Sequence, residues 1–404
     1  MLEFLEKYKN YLLALVGLFM LFFVYIAFMR VDHFLKDIPP REKKVELKNI
    51  QLEGFNEGKL AWTVKAQSAW SSYTIDYSNI ENIFDGVLYD RNGTVLIRKL
   101  QAQSIRVNAP QERLNARGKV SALILRQGRP IKAAGEQLQY VAQDKKTYLY
   151  DQANIVDGEL VISANNIQID HETKKALFTG NPELYKPGIL IRGSTLLIDL
   201  DNESGLVKGG VSLKRKADPQ SNDSFRKKDT DITCNELSFK EISGNAEITC
   251  QGDLKIRQED KQGIAEKGSF SEKNETLFLY DKVYLIFDRS DWLLDTSTVN
   301  KLKQKELKTA LYEKLIILAD QVELSTRSKD FTAQGHVAVT LKEKDAVSEQ
   351  AVYKEKDKKI FMTGHVRLKK ADGSWINAQK VVVDIDKEVF LAEGQVQSTV
   401  ILKR

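Results

Sequence analysis

The stretch that decides the fold is Ala319–Val339, ADQVELSTRSKDFTAQGHVAV. A small residue, Ala319, precedes two alternating apolar residues, Val322 and Leu324. After a polar connection come Phe331, Ala333, Gly335, Val337 and Val339, each separated from the next by one residue. Alternation of this kind places every second side chain on one face of a β-strand. Paired as a hairpin, the two runs set Leu324 against Phe331 and Val322 against Ala333. One extra residue in the first strand, a β-bulge after Ala319, then brings Ala319 opposite Gly335 and gathers all the apolar side chains on a single face.

Outward from this hairpin the same pattern occurs nine times. Its small residues are Ala102, Gly135, Ala164, Gly193, Cys234, Ala265, Ala319, Ser348 and Ala378. The slots sixteen residues on are Gly118, Asp151, Gly180, Gly209, Cys250, Asp281, Gly335, Gly364 and Gly394. A fixed period means a stacked architecture in which each unit buries its apolar face against its neighbours. Small residues and bulges at a common level let a sheet crease. The expected fold is therefore all-β: an elongated solenoid of stacked antiparallel hairpins, apolar inside and polar outside. Eighteen strands in file reach ~85 Å, or about half that if split between two sheets.

An apolar interior of this length is either filled by its own side chains or open as a trough for acyl chains. Many inward positions are thin, among them Ala116, Ala153, Ala176, Ala246, Ala333 and Ala392, which favours a trough. Its candidate lining is Ile105, Val107, Leu138, Tyr140, Leu149, Ile167, Ile169, Phe178, Leu196, Ile198, Val211, Phe239, Phe270, Leu279, Phe331 and Met362. The only cysteines, Cys234 and Cys250, occupy two slots that face each other in this register. Opposed strand residues are close enough for a disulfide, so a Cys234–Cys250 bond is expected.

The ends and interruptions of the period define the organisation. Residues 1–10 read as an N-terminal tail. Tyr11–Met29, YLLALVGLFMLFFVYIAFM, carries no charge and as a helix reaches ~28 Å, a bilayer's hydrocarbon thickness. No small-residue cleavage site follows it, so a retained single-span anchor is expected. Lys7 and Lys9 precede it, while Arg30, Lys36, Arg41, Lys43 and Lys44 follow. Charge counting thus opposes a cytoplasmic N-terminus, although long domains cross membranes regardless of such charges. Residues 30–44 read as a linker with a proline stop at Pro39-Pro40. Two insertions break the later repeats: a polar surface excursion at 214–231, and 290–316, whose segment Val299–Tyr312 has the composition and spacing of an amphipathic helix.

Catalytic and nucleic-acid chemistry leave no trace in this chain of 404 residues. The net charge of +5 is mild, and no basic stripe interleaved with aromatics occurs. There is no nucleophile elbow, phosphate loop or CxxC pair. His336 and His365 sit in equivalent Gly-His-Val slots on the polar face and read as solvated strand histidines; His33 and His171 complete the set. No enzyme activity, cofactor, metal or nucleic acid is expected.

Gly58–Trp70, GKLAWTVKAQSAW, resembles the G-x-L-x-W-x-L-x-A-x-x-A-aromatic stretch of the LptC family. Asp90-Arg91-Asn92-Gly93 followed by Leu100–Ile105 resembles that family's second strand set. The later units resemble repeats of LptA (OstA) and of the N-terminal domain of LptD. The resemblance divides the chain into an LptC-like β-jellyroll module at 45–130 and LptA/OstA-like β-repeats at 131–404. It implies a single-pass inner-membrane protein with its bulk in the periplasm. Such a protein takes lipopolysaccharide from an inner-membrane ABC transporter and passes its acyl chains along a groove toward the outer membrane. An LptA- or LptD-like jellyroll would dock at the C-terminal edge, Val389–Ile401. The alternative is a membrane-tethered structural solenoid, an envelope spacer or adhesin, with a filled core.

Overall fold

The computed structural model describes residues 45–71, 77–108, 112–126, 129–221, 225–242, 245–289, 312–342 and 344–401. The tail, the expected anchor at 11–29, the linker at 30–44 and the expected helix before Tyr312 lie outside these. Among the described residues no helix is long and apolar enough to cross a membrane.

The described chain forms one sheet of 24 strands, antiparallel throughout. Its first eight strands are β1 (Val45–Asn56), β2 (Lys59–Ser71), β3 (Tyr77–Tyr89), β4 (Val95–Asn108), β5 (Arg113–Arg126), β6 (Arg129–Val141), β7 (Lys146–Asp157) and β8 (Leu160–Asp170). Each pairs with the next. The following rungs are broken in two. β9 (Lys175–Thr179) and β10 (Glu183–Lys186) both pair with β8, while β11 (Ile189–Arg192) and β12 (Thr195–Asp199) both pair with β13 (Ser204–Arg215). Long rungs then resume as β14 (Thr230–Ile242), β15 (Asn245–Gln258), β16 (Lys261–Ser271), β17 (Thr276–Phe287) and β18 (Leu315–Ser325). They continue as β19 (Phe331–Leu341), β20 (Lys344–Lys354), β21 (Lys359–Lys370) and β22 (Trp375–Asp384). The last rung is again split, into β23 (Val389–Glu393) and β24 (Gln397–Thr399), both on β22. The break between β9 and β10 falls at Asn181-Pro182, where proline has no N–H for the ladder. Position 130 lies inside β6, which pairs with both β5 and β7.

Val322 faces Ala333 and Leu324 faces Phe331, as the spacing predicts. The bulge, however, is on the other strand. Between the matched pairs Leu318–Ala338 and Gln321–Gln334, β18 has two residues and β19 has three, Gly335, His336 and Val337. Gly335 and His336 are both left-handed, with φ of 73° and 47°. The same doublet recurs at Gly118-Lys119, Asp151-Gln152, Gly180-Asn181, Gly209-Gly210, Gly252-Asp253, Asp281-Lys282, Gly364-His365 and Gly394-Gln395. In the copy that starts at Cys234 the slot is therefore Gly252, not Cys250. Nor does the small residue face the glycine. It pairs with the apolar residue two beyond the left-handed slot of the preceding rung: Gly135 with Val120, Ala164 with Ala153, Ala265 with Leu254, Ala319 with Val283, Ala378 with Val366. A small side chain there leaves room for its neighbour's bulk.

The polar residue after each small slot closes over the doublet from outside. A Cβ on Gly335 would lie 2.2 Å from Asp320 Oδ2, and the same carboxylate is 2.8 Å from His336 Nδ1. Glu349 and His365 repeat this at 2.7 Å, and Glu266 and Lys282 at 3.0 Å. His336 and His365 thus stand on the outer face, as expected. Left-handed backbone costs an alanine ~1–2 kcal/mol and a β-branched residue more, while Asp and Asn tolerate it. Asp151 and Asp281 show that tolerance in the native chain. We expect Gly335→Val to lower the denaturation midpoint clearly more than Gly335→Asn. Equal losses would mean that the slot is selected for space, not for φ.

The doublets lie on alternate rungs, and the rungs between them are folded over as well. Leu160 and Asp170, the two ends of β8, line one cavity, yet eleven residues laid flat span ~33 Å. Two walls therefore face each other, and buried apolar residues from Val64 to Ile385 form one continuous core cluster between them.

Candidate functional site

Between the walls lies the predicted lining. Fourteen of its sixteen residues, all but Phe239 and Phe270, are buried; those two are half-buried. They meet rung to rung: Leu138 faces Leu149, Leu149 faces Ile167, Ile167 faces Phe178, and Phe178 faces Leu196.

The interior alternates between filled levels and cavities. Leu138, Leu149, Ile167 and Phe178 are at most 1% exposed and close their levels. A cavity of about 260 Å³ lies at the N-terminal end, with Trp62, Leu88, Val107, Leu114 and Tyr140 in its wall and Asp90, Arg91, Glu112 and Arg113 around it. A second, of about 90 Å³, is lined by Ile131, Ile155, Ile169, Phe178 and Ile198. The third, of about 220 Å³, lies between β11 and β18, with Leu213, Ile232, Ile248, Ile256, Phe270, Leu279, Leu285 and Val322 in its wall. One end of this third cavity is polar, formed by Arg215, Thr230, Gln258, Lys261, Arg226 and Glu272.

Residues of the 214–231 excursion reach this cavity. Phe225 packs on the core, with its carbonyl accepting hydrogen bonds from Arg215 Nη2 and Gln258 Nε2, both at 2.8 Å. The expectation of a purely surface excursion is therefore corrected. The available signal was Phe225 itself, the one aromatic in a run of polar residues.

Burial shifts two groups at the walls. Tyr140 is pushed up to about 12, by burial and then by the negative charge of Asp90. His171, after β8, is drawn down to about 4 by burial and then by nearby Lys174. Its Nε2 is 2.8 Å from Thr147 Oγ1, and the Tyr140 ring meets it edge-on at 6.3 Å. In the unfolded chain this histidine binds a proton near its ordinary value of 6.5. Folding stability is thus lost as pH falls from about 6.5 to about 4, by about 3 kcal/mol from this group, and does not fall further below. Removing the imidazole by His171→Gln should flatten the stability profile in that window. An unchanged slope would assign the pH dependence to other groups.

The cysteine register is a second correction. Cys250 faces Leu237 and Cys234 faces Val211, so the two are not opposed. The reason is the shift of the left-handed slot to Gly252. Both are buried free thiols. They sit on paired strands, and the neighbouring Cys234, with burial, pushes the Cys250 thiol strongly up. Cys234 Sγ also donates to Glu236 O at 3.2 Å.

The C-terminal edge leaves apolar side chains uncovered. Val389, Phe390 and Leu391 are 52%, 43% and 49% exposed, and Val396, Val400 and Ile401 are exposed beside them.

Comparison with known proteins points one way. The family described as LptA/(LptD N-terminal domain) LPS transport protein matches residues 71–175 and 161–306. Among solved structures, LptH of Pseudomonas aeruginosa, described as the LptA homologous periplasmic component of the conserved lipopolysaccharide transport device, is 16% identical. The match covers 28% of this chain and 76% of that one, and its TM-score of 0.24 is too low to carry an argument. No curated protein matches the chain.

Proposed function

We propose that this chain, which belongs to the LptA/(LptD N-terminal domain) family of LPS transport proteins, carries lipopolysaccharide through the periplasm with its acyl chains between the two walls. The observation that carries this reading is the inner face. It is apolar from Val64 to Ile385 and widens into cavities flanked by charged residues. Apolar walls with a few convergent polar groups suit an acyl chain joined to a polar headgroup. Transport is then a passage along the rungs with no covalent step, driven by a partner.

The finer assignment follows the sequence. Tyr11–Met29 anchors the chain in the inner membrane. The LptC-like first module receives lipid from an inner-membrane ABC transporter, and the LptA/OstA-like repeats pass it on. The open C-terminal edge, with unpaired backbone groups and uncovered apolar side chains, docks an LptA- or LptD-like jellyroll by strand addition. The filled levels around Leu138 and Leu149 favour a second reading, a structural solenoid. In the transport reading these levels must yield as acyl chains pass.

One experiment separates the two. A photo-crosslinking amino acid in place of Phe178 or Phe270, in cells, should capture lipopolysaccharide. Capture at neither, with folded protein, supports the structural solenoid.

The cysteines form a further part of the proposal. Cys234 on β14 and Cys250 on the paired strand β15 are near enough in the ladder for the oxidant of an exporting compartment to join them as a disulfide. Mass spectrometry of unreduced peptides from exported protein should find them linked; two free thiols there would end the idea.

A further inference from the structure

Phe225 and Arg226 lie in the connection from β13 to β14. Phe225 is held at the β15–β16 turn: its carbonyl accepts from Gln258 Nε2, and Lys261 Nζ lies 5.4 Å from its ring centre. The adjacent residue, Arg226, places Nη2 2.8 Å from Glu272 Oε1. Glu272 follows the far end of β16, where its other oxygen accepts from Ala246 N at 3.0 Å. One dipeptide thus touches both ends of a single folded-over strand, so it crosses from one wall to the other. It crosses at the polar end of the third cavity, whose lining includes both Phe225 and Arg226. At the N-terminal cavity Arg91 and Glu112, from turns on opposite margins, pair in the same way at 3.2 Å.

This crossbar obstructs a particular kind of ligand. A bare acyl chain slides beneath it. A chain carrying a headgroup does not, because the polar headgroup must project between the margins that the bar joins. Around the bar stand the cations Arg215, Arg226, Lys228 and Lys261 and the acids Glu259, Asp260 and Glu272. A guanidinium that grips a carboxylate grips a phosphate with the same planar donor pair. Behind the bar, Gln258 is 7% exposed. Its Nε2 is engaged by Phe225 O and Thr230 Oγ1, and its Oε1 has no hydrogen-bond partner among the described residues. A buried acceptor of this kind suits a hydroxyl or amide N–H in the part of a lipid that joins chains to headgroup.

We propose that Phe225 and Arg226 form a latch across the trough, and that Arg226 leaves Glu272 for the phosphate of a passing lipid headgroup. The proposal rests on the lipid-carrying reading above. The test uses the full chain with Cys234→Ala and Cys250→Ala, checked for folding, and with Arg226→Cys and Glu272→Cys joined by a short bismaleimide. Uptake of lipopolysaccharide and of cis-parinaric acid, a fluorescent single-chain fatty acid, is measured before and after joining. Joining should slow lipopolysaccharide uptake by about tenfold or more, a barrier change of at least ~1.4 kcal/mol, and leave the fatty acid unaffected. Unchanged lipopolysaccharide uptake overturns the latch. Binding of neither probe before joining overturns the lipid-carrying reading itself. In the otherwise native chain, Arg226→Gln should weaken binding of lipopolysaccharide about tenfold but not of its dephosphorylated form. Equal loss for both removes phosphate from the proposal.

Discussion

Phe178→Asp is expected to stop lipopolysaccharide passage. Phe178 is 1% exposed, is flanked by Ile167 and Leu196, and lines the middle cavity. Neither of these ladder partners can pair a carboxylate. A buried unpaired charge costs several kcal/mol, and its neutral form still leaves an acid where acyl chains would lie. Leu279→Asp, in the wall of the third cavity and 2% exposed, should act the same way. The control is Lys175→Asp, on the exposed face of the rung that carries Phe178. Lys175 faces Asp170 and Asp199 in the ladder, so reversing its charge costs some stability but leaves the interior intact. Lipopolysaccharide crosslinking beyond each site, on protein whose circular dichroism shows native strand content, is the readout. Equal transport by all three variants would sink the conduit.

Deletion of Gln395–Arg404 should abolish docking of the next jellyroll while leaving the chain in the membrane fraction. The deletion removes β24 and so strips Trp375–Asn377 of their ladder partners on one side, leaving those on β21. The new edge loses Val396, Val400 and Ile401, exposed apolar residues on which a partner strand can pack. Main-chain pairing supplies much of the affinity in strand addition, and side-chain contacts at alternate positions supply the specificity. Pull-down with an LptA- or LptD-like jellyroll decides it. If association survives, the docking edge is elsewhere, with β1 at the opposite end of the sheet as the candidate.

Much of the fold was legible because strand identity and facing are local. Alternation at Phe331, Ala333, Val337 and Val339 needs no knowledge of any partner, and the buried lining residues followed from it. The latch was not legible. Phe225 and Arg226 read as part of a solvated excursion, because their partners Gln258, Lys261 and Glu272 lie some thirty to forty-six residues away. The crossing exists only because β16 is folded back on itself.

The cysteines mark the boundary between the two kinds of information. Residue order alone shows that the chain repeats, that its repeats are β-hairpins, and which side chains point inward. A period of two along a strand and of about thirty along the chain is written in residue order. It could not determine which strand carries the bulge. Cys250 and Gly252 are both small, both on one face, and both near the expected spacing; only pairing with β14 shows that Gly252 takes the positive φ and that Cys250 faces Leu237. The pairing of strands settles it, because a bulge is a mismatch in length between two strands and neither strand records it alone.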